Sequence, residues 1–124
     1  MQPEAAVLLV THPGIGAALC STAEYIMGQS LFSLSCIEVP GTQPADRAIR
    51  DWIAGLPSHG LILTDLYGAT PHNIACCAVA ATDPVRVLSG LNLPMLLRIL
   101  NYTQATDLAT LYDIARAGAR RGIQ

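Results

Sequence analysis

The sequence predicts an α/β fold with a mostly parallel sheet of four to five strands and helices on both faces. Four short apolar runs alternate with five stretches of helical periodicity, which is the pattern of βαβ units on a parallel sheet. The first apolar run ends in a glycine-bearing turn that leads directly into a helix, as at the rim of such a sheet. We therefore expect one domain over residues 1–124, with its active site at the carboxyl ends of the strands.

The first half of the chain predicts two strands and two helices. The first strand covers residues 5–10, and the helix after it carries an apolar face that ends at Gly28, a natural helix stop. The second strand covers residues 34–39 and closes at a Pro-Gly pair. Pro44 then opens a second helix, whose apolar stripe runs to Ile53.

The second half predicts two more strands and three helices. A continuous apolar strand at residues 60–64 delivers Asp65 to the sheet edge that also receives the end of the first strand. Thr70, followed by proline, is predicted as the N-cap of the third helix. A fourth strand at residues 86–89 precedes a helix opened by residues 90–94, and Thr106 with Asp107 caps the last helix.

The composition limits the classes of partner. Hydrophobic residues make up 52% of the chain and charged residues 13%, so part of the apolar surface is expected to be covered by a second copy in a homodimer. A net charge of −2 with only seven Lys and Arg residues leaves no basic face for a nucleic-acid backbone. We expect no nucleic-acid partner.

The sequence also predicts a cytoplasmic protein. No apolar stretch is long enough to cross a bilayer, and residues 1–4 lack the positive region of a signal peptide. Any membrane association would be indirect, through transporter subunits. The four cysteines show neither CxxC nor zinc-like spacing and are interpreted as small buried apolar side chains, with the Cys76-Cys77 pair in a packed helix.

Three residues that are predicted to lie at one sheet edge are the candidate functional residues. His12 follows the first strand, Asp65 follows the third, and Thr70 begins a helix. A carboxylate bound to one ring nitrogen fixes the tautomer of an imidazole, so the other nitrogen presents its lone pair as a nucleophile. The starts of the first and third helices gather free N–H groups and partial positive charge, which favours an anion such as a phosphoryl group.

Each of these residues has a simpler interpretation when taken alone. A histidine after a strand can merely cap a helix, Asp65 can be a turn residue, and Thr70 a plain N-cap. Their predicted convergence favours the functional interpretation. It also argues against a metal site, because His72 is the only candidate for a third ligand, while His59 lies at the opposite end of its strand and is interpreted as a surface turn residue.

Three segments of the chain resemble the mannose-family enzyme IIA (EIIA) of the bacterial phosphoenolpyruvate-dependent sugar phosphotransferase system (PTS). They are Thr11-His12-Pro13-Gly14, Asp65-Leu-Tyr-Gly-Ala-Thr70-Pro-His-Asn73 and Gly90-Leu-Asn-Leu-Pro-Met95. The resemblance spans nearly the whole chain, in the same order and at comparable spacing. It implies a phosphotransferase with a phosphohistidine intermediate and with no metal or other cofactor.

The resemblance also implies a role for each site residue. His12 would accept a phosphoryl group from the histidine-containing phosphocarrier protein HPr and pass it to an enzyme IIB in carbohydrate uptake. Asp65 would orient the imidazole, and Thr70 would help hold the phosphate. These implied roles agree with the chemistry expected from the residues themselves.

The chain departs from the family pattern in three ways. His72 stands where the family often has phenylalanine, and its role stays open. The family dimer exchanges a C-terminal strand, whereas residues 122–124 leave little to exchange, so the dimer could use another surface. No IIB domain is attached, so the acceptor is expected on a separate chain.

Other functions remain open at this stage. The main alternative is a regulatory protein whose His12 phosphorylation controls a partner without sugar transport. A subunit that serves dihydroxyacetone kinase is less favoured by the three segments, and a metal-dependent hydrolase lacks ligands. The sequence does not name the sugar.

Overall fold

The computed structural model describes residues 4–104 and 106–124, and within them the chain forms four strands and five helices. In chain order they are β1 Ala6–Thr11, α1 Ile15–Met27, β2 Leu34–Glu38, α2 Asp46–Ala54, β3 Gly60–Thr64, α3 Thr70–Ala78, β4 Val85–Leu88, α4 Leu93–Leu100 and α5 Leu108–Arg121. All strand pairs are parallel, in the order β2-β1-β3-β4. The predicted α/β class is confirmed.

Side chains that alternate along the central strands build a core on each face of the sheet. Leu9 and Leu63 pack under α1, α4 and α5, whereas Val10 and Ile62 pack under α2 and α3. Because both faces are covered, β3 is buried along its whole length and its sequence is continuously apolar rather than alternating. The predicted helices on both faces are therefore confirmed.

Several predicted boundaries are wrong by one or two residues. β1 runs to Thr11, β2 stops at Glu38, and β4 starts at Val85 and stops at Leu88. α2 begins at Asp46 rather than at Pro44, with Ala45 as its N-cap. At the last helix Asp107 is the N-cap as predicted, since its carboxylate accepts a hydrogen bond from the Thr110 amide. Apolar periodicity sets which residues face the core, but the sheet hydrogen bonds set where a strand ends.

The expectation for the Cys76-Cys77 pair is also wrong. Cys76 and Cys77 are exposed rather than buried, because Ala75 and Ala78 form the core-facing stripe of α3. His59 lies in the loop directly before β3, at the end of the strand opposite to Asp65, as predicted. It is half-buried, and its Nε2–H donates to the Thr106 carbonyl at 2.7 Å while Nδ1 is hydrogen-bonded to the Ser58 hydroxyl.

Candidate functional site

The site is centred on His12 and Asp65, which follow the two central strands of the sheet. β1 and β3 are adjacent, but α1 leads from β1 out to β2, whereas α3 leads from β3 out to β4. The chain thus diverges in opposite directions from this point. Such a switch point leaves a crevice outside the carboxyl ends of the strands, where ligands of open α/β folds bind.

One oxygen of the Asp65 carboxylate accepts two hydrogen bonds from His12. The His12 backbone amide donates to Asp65 Oδ2 at 3.0 Å, and the ring Nδ1–H donates to the same oxygen at 2.7 Å. The Asp65 side chain is only 8% exposed, whereas that of His12 is 44% exposed. The buried carboxylate therefore fixes the tautomer and leaves Nε2 as the nitrogen that carries the free lone pair.

The surroundings of Asp65 keep its carboxyl group ionised. Burial by itself would raise the pKa of this carboxyl, but hydrogen bonds from the His12 amide and ring outweigh that effect and hold the pKa below its ordinary value. The other oxygen, Oδ1, is buried and has no hydrogen-bond partner among the described residues. A full negative charge thus faces the imidazole, and it stabilises positive charge on that ring.

The turn after His12 is fixed by Thr11 and two glycines. The buried Thr11 hydroxyl donates to the His12 carbonyl at 2.8 Å and accepts from the Gly16 amide at 2.9 Å. Gly14 has φ of 90°, a conformation that favours glycine. A Cβ on Gly16 would lie 3.0 Å from the Thr11 hydroxyl oxygen and 3.2 Å from Cys36 Cβ. This close packing fixes the backbone turn that positions His12.

Thr70 lies at the start of α3, but not in the capping position that the sequence predicts. Ala69 is the N-cap, has an extended backbone and makes no side-chain capping bond, and Thr70 is the first helical residue with Pro71 behind it. Thr70 is half-buried. An uncapped helix start retains free N–H donors, so this end of α3 keeps its capacity to bind an anion.

The start of α1 is different, because a carboxylate already occupies it. Glu38, the last residue of β2, accepts a hydrogen bond from the Ala17 amide at 2.9 Å. Bonds from the Ala17 and Gly14 amides hold the pKa of Glu38 below its ordinary value. Of the two helix starts that are predicted to form an anion site together, the start of α1 already has a carboxylate bound to its amides, whereas α3 has no side-chain capping bond. Sequence reasoning missed Glu38 because 21 residues separate it from Ala17.

Comparison with known proteins shows the family of this chain. The family model EIIA-man, described as the PTS system fructose IIA component, matches residues 6–116. The chain belongs to the EIIA-man family. It is accordingly an EIIA component of the sugar phosphotransferase system, with a phosphotransferase role.

Individual relatives of this EIIA protein cover nearly all of it. The PTS system fructose-specific EIIA component of Bacillus subtilis (strain 168) is 25% identical over 122 residues, which are 95% of this chain and 84% of the relative. The crystal structure of the EIIA component from Streptococcus agalactiae is 25% identical, with a TM-score of 0.79 over 96% of this chain and 95% of that chain. The mannose/sorbose-specific IIA subunit from Enterococcus faecalis, at 19% identity, shares the fold with a TM-score of 0.70 over 100% and 94% of the two chains.

His72 lies behind the site in this EIIA protein. Its buried ring is hydrogen-bonded through Nδ1 to the Thr64 hydroxyl at 2.7 Å and through Nε2 to Cys76 Sγ at 3.4 Å. Its centroid is 5.1 Å from that of Tyr67. Thr64 and Tyr67 stand on either side of Asp65 in the chain, so His72 anchors the loop that carries the carboxylate.

Two kinds of feature are absent from residues 4–104 and 106–124 of this EIIA protein. No group of three or more His, Cys, Asp or Glu side chains there is placed to share a metal ion. No helix in the same ranges is long and apolar enough to span a membrane.

Proposed function

We propose that this EIIA protein is a phosphocarrier, in which His12 accepts a phosphoryl group from phospho-HPr and passes it to an enzyme IIB. The observation that carries the proposal is the 2.7 Å contact between His12 Nδ1 and Asp65 Oδ2. With Nδ1 engaged in that contact, Nε2 is the nitrogen available to phosphorus.

The transfer exchanges one nitrogen–phosphorus bond for another. The lone pair of His12 Nε2 forms a bond to phosphorus as the bond between phosphorus and the donor histidine breaks, and the donor nitrogen regains its lone pair. The His12 ring keeps its proton on Nδ1 and becomes positively charged. The Asp65 carboxylate stabilises that charge through the bond it already makes. Transfer to IIB reverses these steps with a nucleophile of the acceptor.

The phosphoryl oxygens gain their partners from the start of α3. Transfer between two such nucleophiles depends on positioning and on stabilising the charge of the phosphoryl group. The free N–H groups at the first turn of α3 supply part of that stabilisation, and the Thr70 hydroxyl is the side-chain donor beside them.

We also infer that the protein is a homodimer. Three large apolar side chains near the amino end of the sheet are strongly exposed, namely Tyr25 at 86%, Ile26 at 53% and Phe32 at 100%. In a chain with a single phenylalanine, a fully exposed one favours coverage by a second copy. Sedimentation across a range of concentrations, with Phe32→Ser as a disrupting variant, tests this inference.

Labelling tests the proposed function directly. The protein is incubated with phosphoenolpyruvate, enzyme I and HPr, and we expect acid-labile phosphate on His12 that is removed when an enzyme IIB is added. His59→Ala is a matched control, because it deletes an imidazole from the opposite end of the sheet. Absence of label, or label retained by His12→Ala, would refute the proposal.

A further inference from the structure

A series of three hydrogen-bonded side chains leads from the end of β3 to the surface of α3. His72 and Cys76 are four residues apart on α3, so both lie on one face of the helix. Cys76 Sγ is 3.4 Å from His72 Nε2, and the Thr64 hydroxyl is 2.7 Å from His72 Nδ1. A thiol beside an imidazole, with a third polar group that orients the ring, is the arrangement that activates a nucleophile. The proposed transfer at His12 uses none of these three side chains.

The imidazole of this series is enclosed, whereas the thiol is accessible. Thr64 and His72 are buried, and the Tyr67 ring lies against the imidazole with its centroid 5.1 Å away. Cys76 is exposed. Because the ring is packed and hydrogen-bonded, it is held beside the sulfur. A small reagent from solvent can therefore reach the sulfur of Cys76 while His72 stays in place behind it.

The proton between the sulfur and the ring belongs to the thiol. Partial burial, with a smaller contribution from the neighbouring Cys77, raises the pKa of the Cys76 thiol above its ordinary value. At about pH 7 the thiol is therefore protonated and donates to His72 Nε2, which leaves Nδ1–H to donate to the Thr64 hydroxyl. Since the thiolate is the nucleophile, a base must remove this proton. His72 Nε2 is within hydrogen-bond reach of it.

Cys77 is a neighbouring thiol without such a base. It is exposed and lies on the same helix. Adjacent residues of a helix point about 100° apart, and Cys77 borders a groove beside the start of α2 with Pro44 and Ile74. Among the residues that the structure describes, no imidazole is hydrogen-bonded to Cys77. The two thiols thus share exposure and helix and differ in the base.

We propose that Cys76 is a site of modification by low-molecular-weight disulfides, with His72 as the general base of the exchange. The Cys76 sulfur forms a bond to one sulfur of the disulfide as the disulfide bond breaks, and the other sulfur leaves as a thiolate. The proton of Cys76 passes to His72 Nε2 and then to the departing thiolate. The products are a mixed disulfide on Cys76 and one free thiol. This reaction goes beyond the phosphocarrier function and does not depend on it.

The test compares the two thiols in otherwise identical proteins. Cys77→Ser leaves Cys76 as the thiol under test, and Cys76→Ser leaves Cys77 as its matched control. Each protein is incubated at about pH 7 with bis(hydroxyethyl) disulfide, an uncharged probe. Mass spectrometry follows the mixed disulfide on the peptide that contains residues 76 and 77. We expect Cys76 to react on the order of tenfold faster than Cys77. Equal rates, or a slower reaction at Cys76, would overturn the proposal.

Removing the base tests the role of His72. His72→Phe keeps a planar ring in the buried position but accepts no proton, so the rate at Cys76 should fall about tenfold, to near that of Cys77. In His72→Ala, added imidazole should restore part of the rate at Cys76, which a purely structural role of His72 does not predict. Thermal melts establish that both variants are folded. An unchanged rate in folded His72→Phe, or no response of folded His72→Ala to imidazole, would show that His72 is not the base.

Discussion

The two ends of the sheet each hold a histidine, and the two histidines differ in how their ring nitrogens are used. At the carboxyl end, His12 has one nitrogen bound to a buried carboxylate and the other without a hydrogen-bond partner among the described residues. At the amino end, both nitrogens of His59 are engaged, by the Ser58 hydroxyl and the Thr106 carbonyl. One imidazole is oriented and available, whereas the other is fully occupied.

The difference shows what makes an imidazole reactive in this fold. His59 joins the start of β3 to the segment before α5, so its hydrogen bonds contribute to stability. His12 forms its side-chain bond with a charged partner and retains a free lone pair, so that bond prepares the ring for chemistry. His72 resembles His59, since both of its nitrogens are occupied and it is buried.

Replacing His12 or His59 by alanine should give the largest difference between the two ends of the sheet. His12→Ala should abolish labelling by phospho-HPr, because no other described imidazole has both a carboxylate partner and an unoccupied nitrogen. His59→Ala should retain labelling and lower the free energy of unfolding by about 1–3 kcal/mol, since the Thr106 carbonyl loses its donor. Labelling and urea denaturation of both variants check this pair, and label on His12→Ala would break the comparison.

Asp65→Asn should have the next largest effect. The amide keeps the shape of the carboxyl group, and its oxygen can still accept from the His12 amide and Nδ1–H. It lacks the negative charge that stabilises the positively charged ring during transfer. We expect the rate of His12 phosphorylation to fall on the order of 10²–10⁴-fold. Rapid-quench kinetics with phospho-HPr measure the rate. A change of less than about threefold would mean that Asp65 is structural, as the partners of His59 are.

Thr70→Ala should have a smaller effect than the change at Asp65. It removes one hydroxyl donor beside the phosphoryl group while leaving the α3 amides in place, which costs about tenfold in transfer rate. Thr70→Ser retains the hydroxyl and should transfer at close to the wild-type rate. If serine and alanine behave alike, the hydroxyl does not bind the phosphoryl group.

The pH dependence of stability should show the smallest effect. The pKa of Asp65 is lowered in the folded protein, so its contribution is present above the pKa of the unfolded chain and is lost as the pH falls through the folded value. The excess stability of wild type over Asp65→Asn should therefore shrink as the pH is lowered below about 4. Thermal melts of both proteins between about pH 3 and 7 measure this difference in stability. A difference that does not change with pH would contradict the lowered pKa of Asp65.

The sequence predicts the His12–Asp65 neighbourhood because both residues follow strands of one parallel sheet, whose carboxyl ends share an edge. It does not predict Glu38 at the start of α1, since that contact depends on the register between β1 and β2. The anchoring of His59 depends on a loop 47 residues away. The sequence also does not predict Ala69 as the N-cap of α3, because Thr70 followed by Pro71 has the usual composition of an N-cap and first helical residue.

The central claim is that Asp65 reserves Nδ1 of His12 and leaves Nε2 to carry phosphate. Nuclear magnetic resonance of the phosphorylated, ¹⁵N-histidine-labelled protein measures this most directly, because coupling to phosphorus identifies the substituted ring nitrogen. The structure predicts that phosphorus is bonded to Nε2 of His12 and that Nδ1 retains its proton. Phosphorus on Nδ1, or on the ring of His59 or His72, would contradict it.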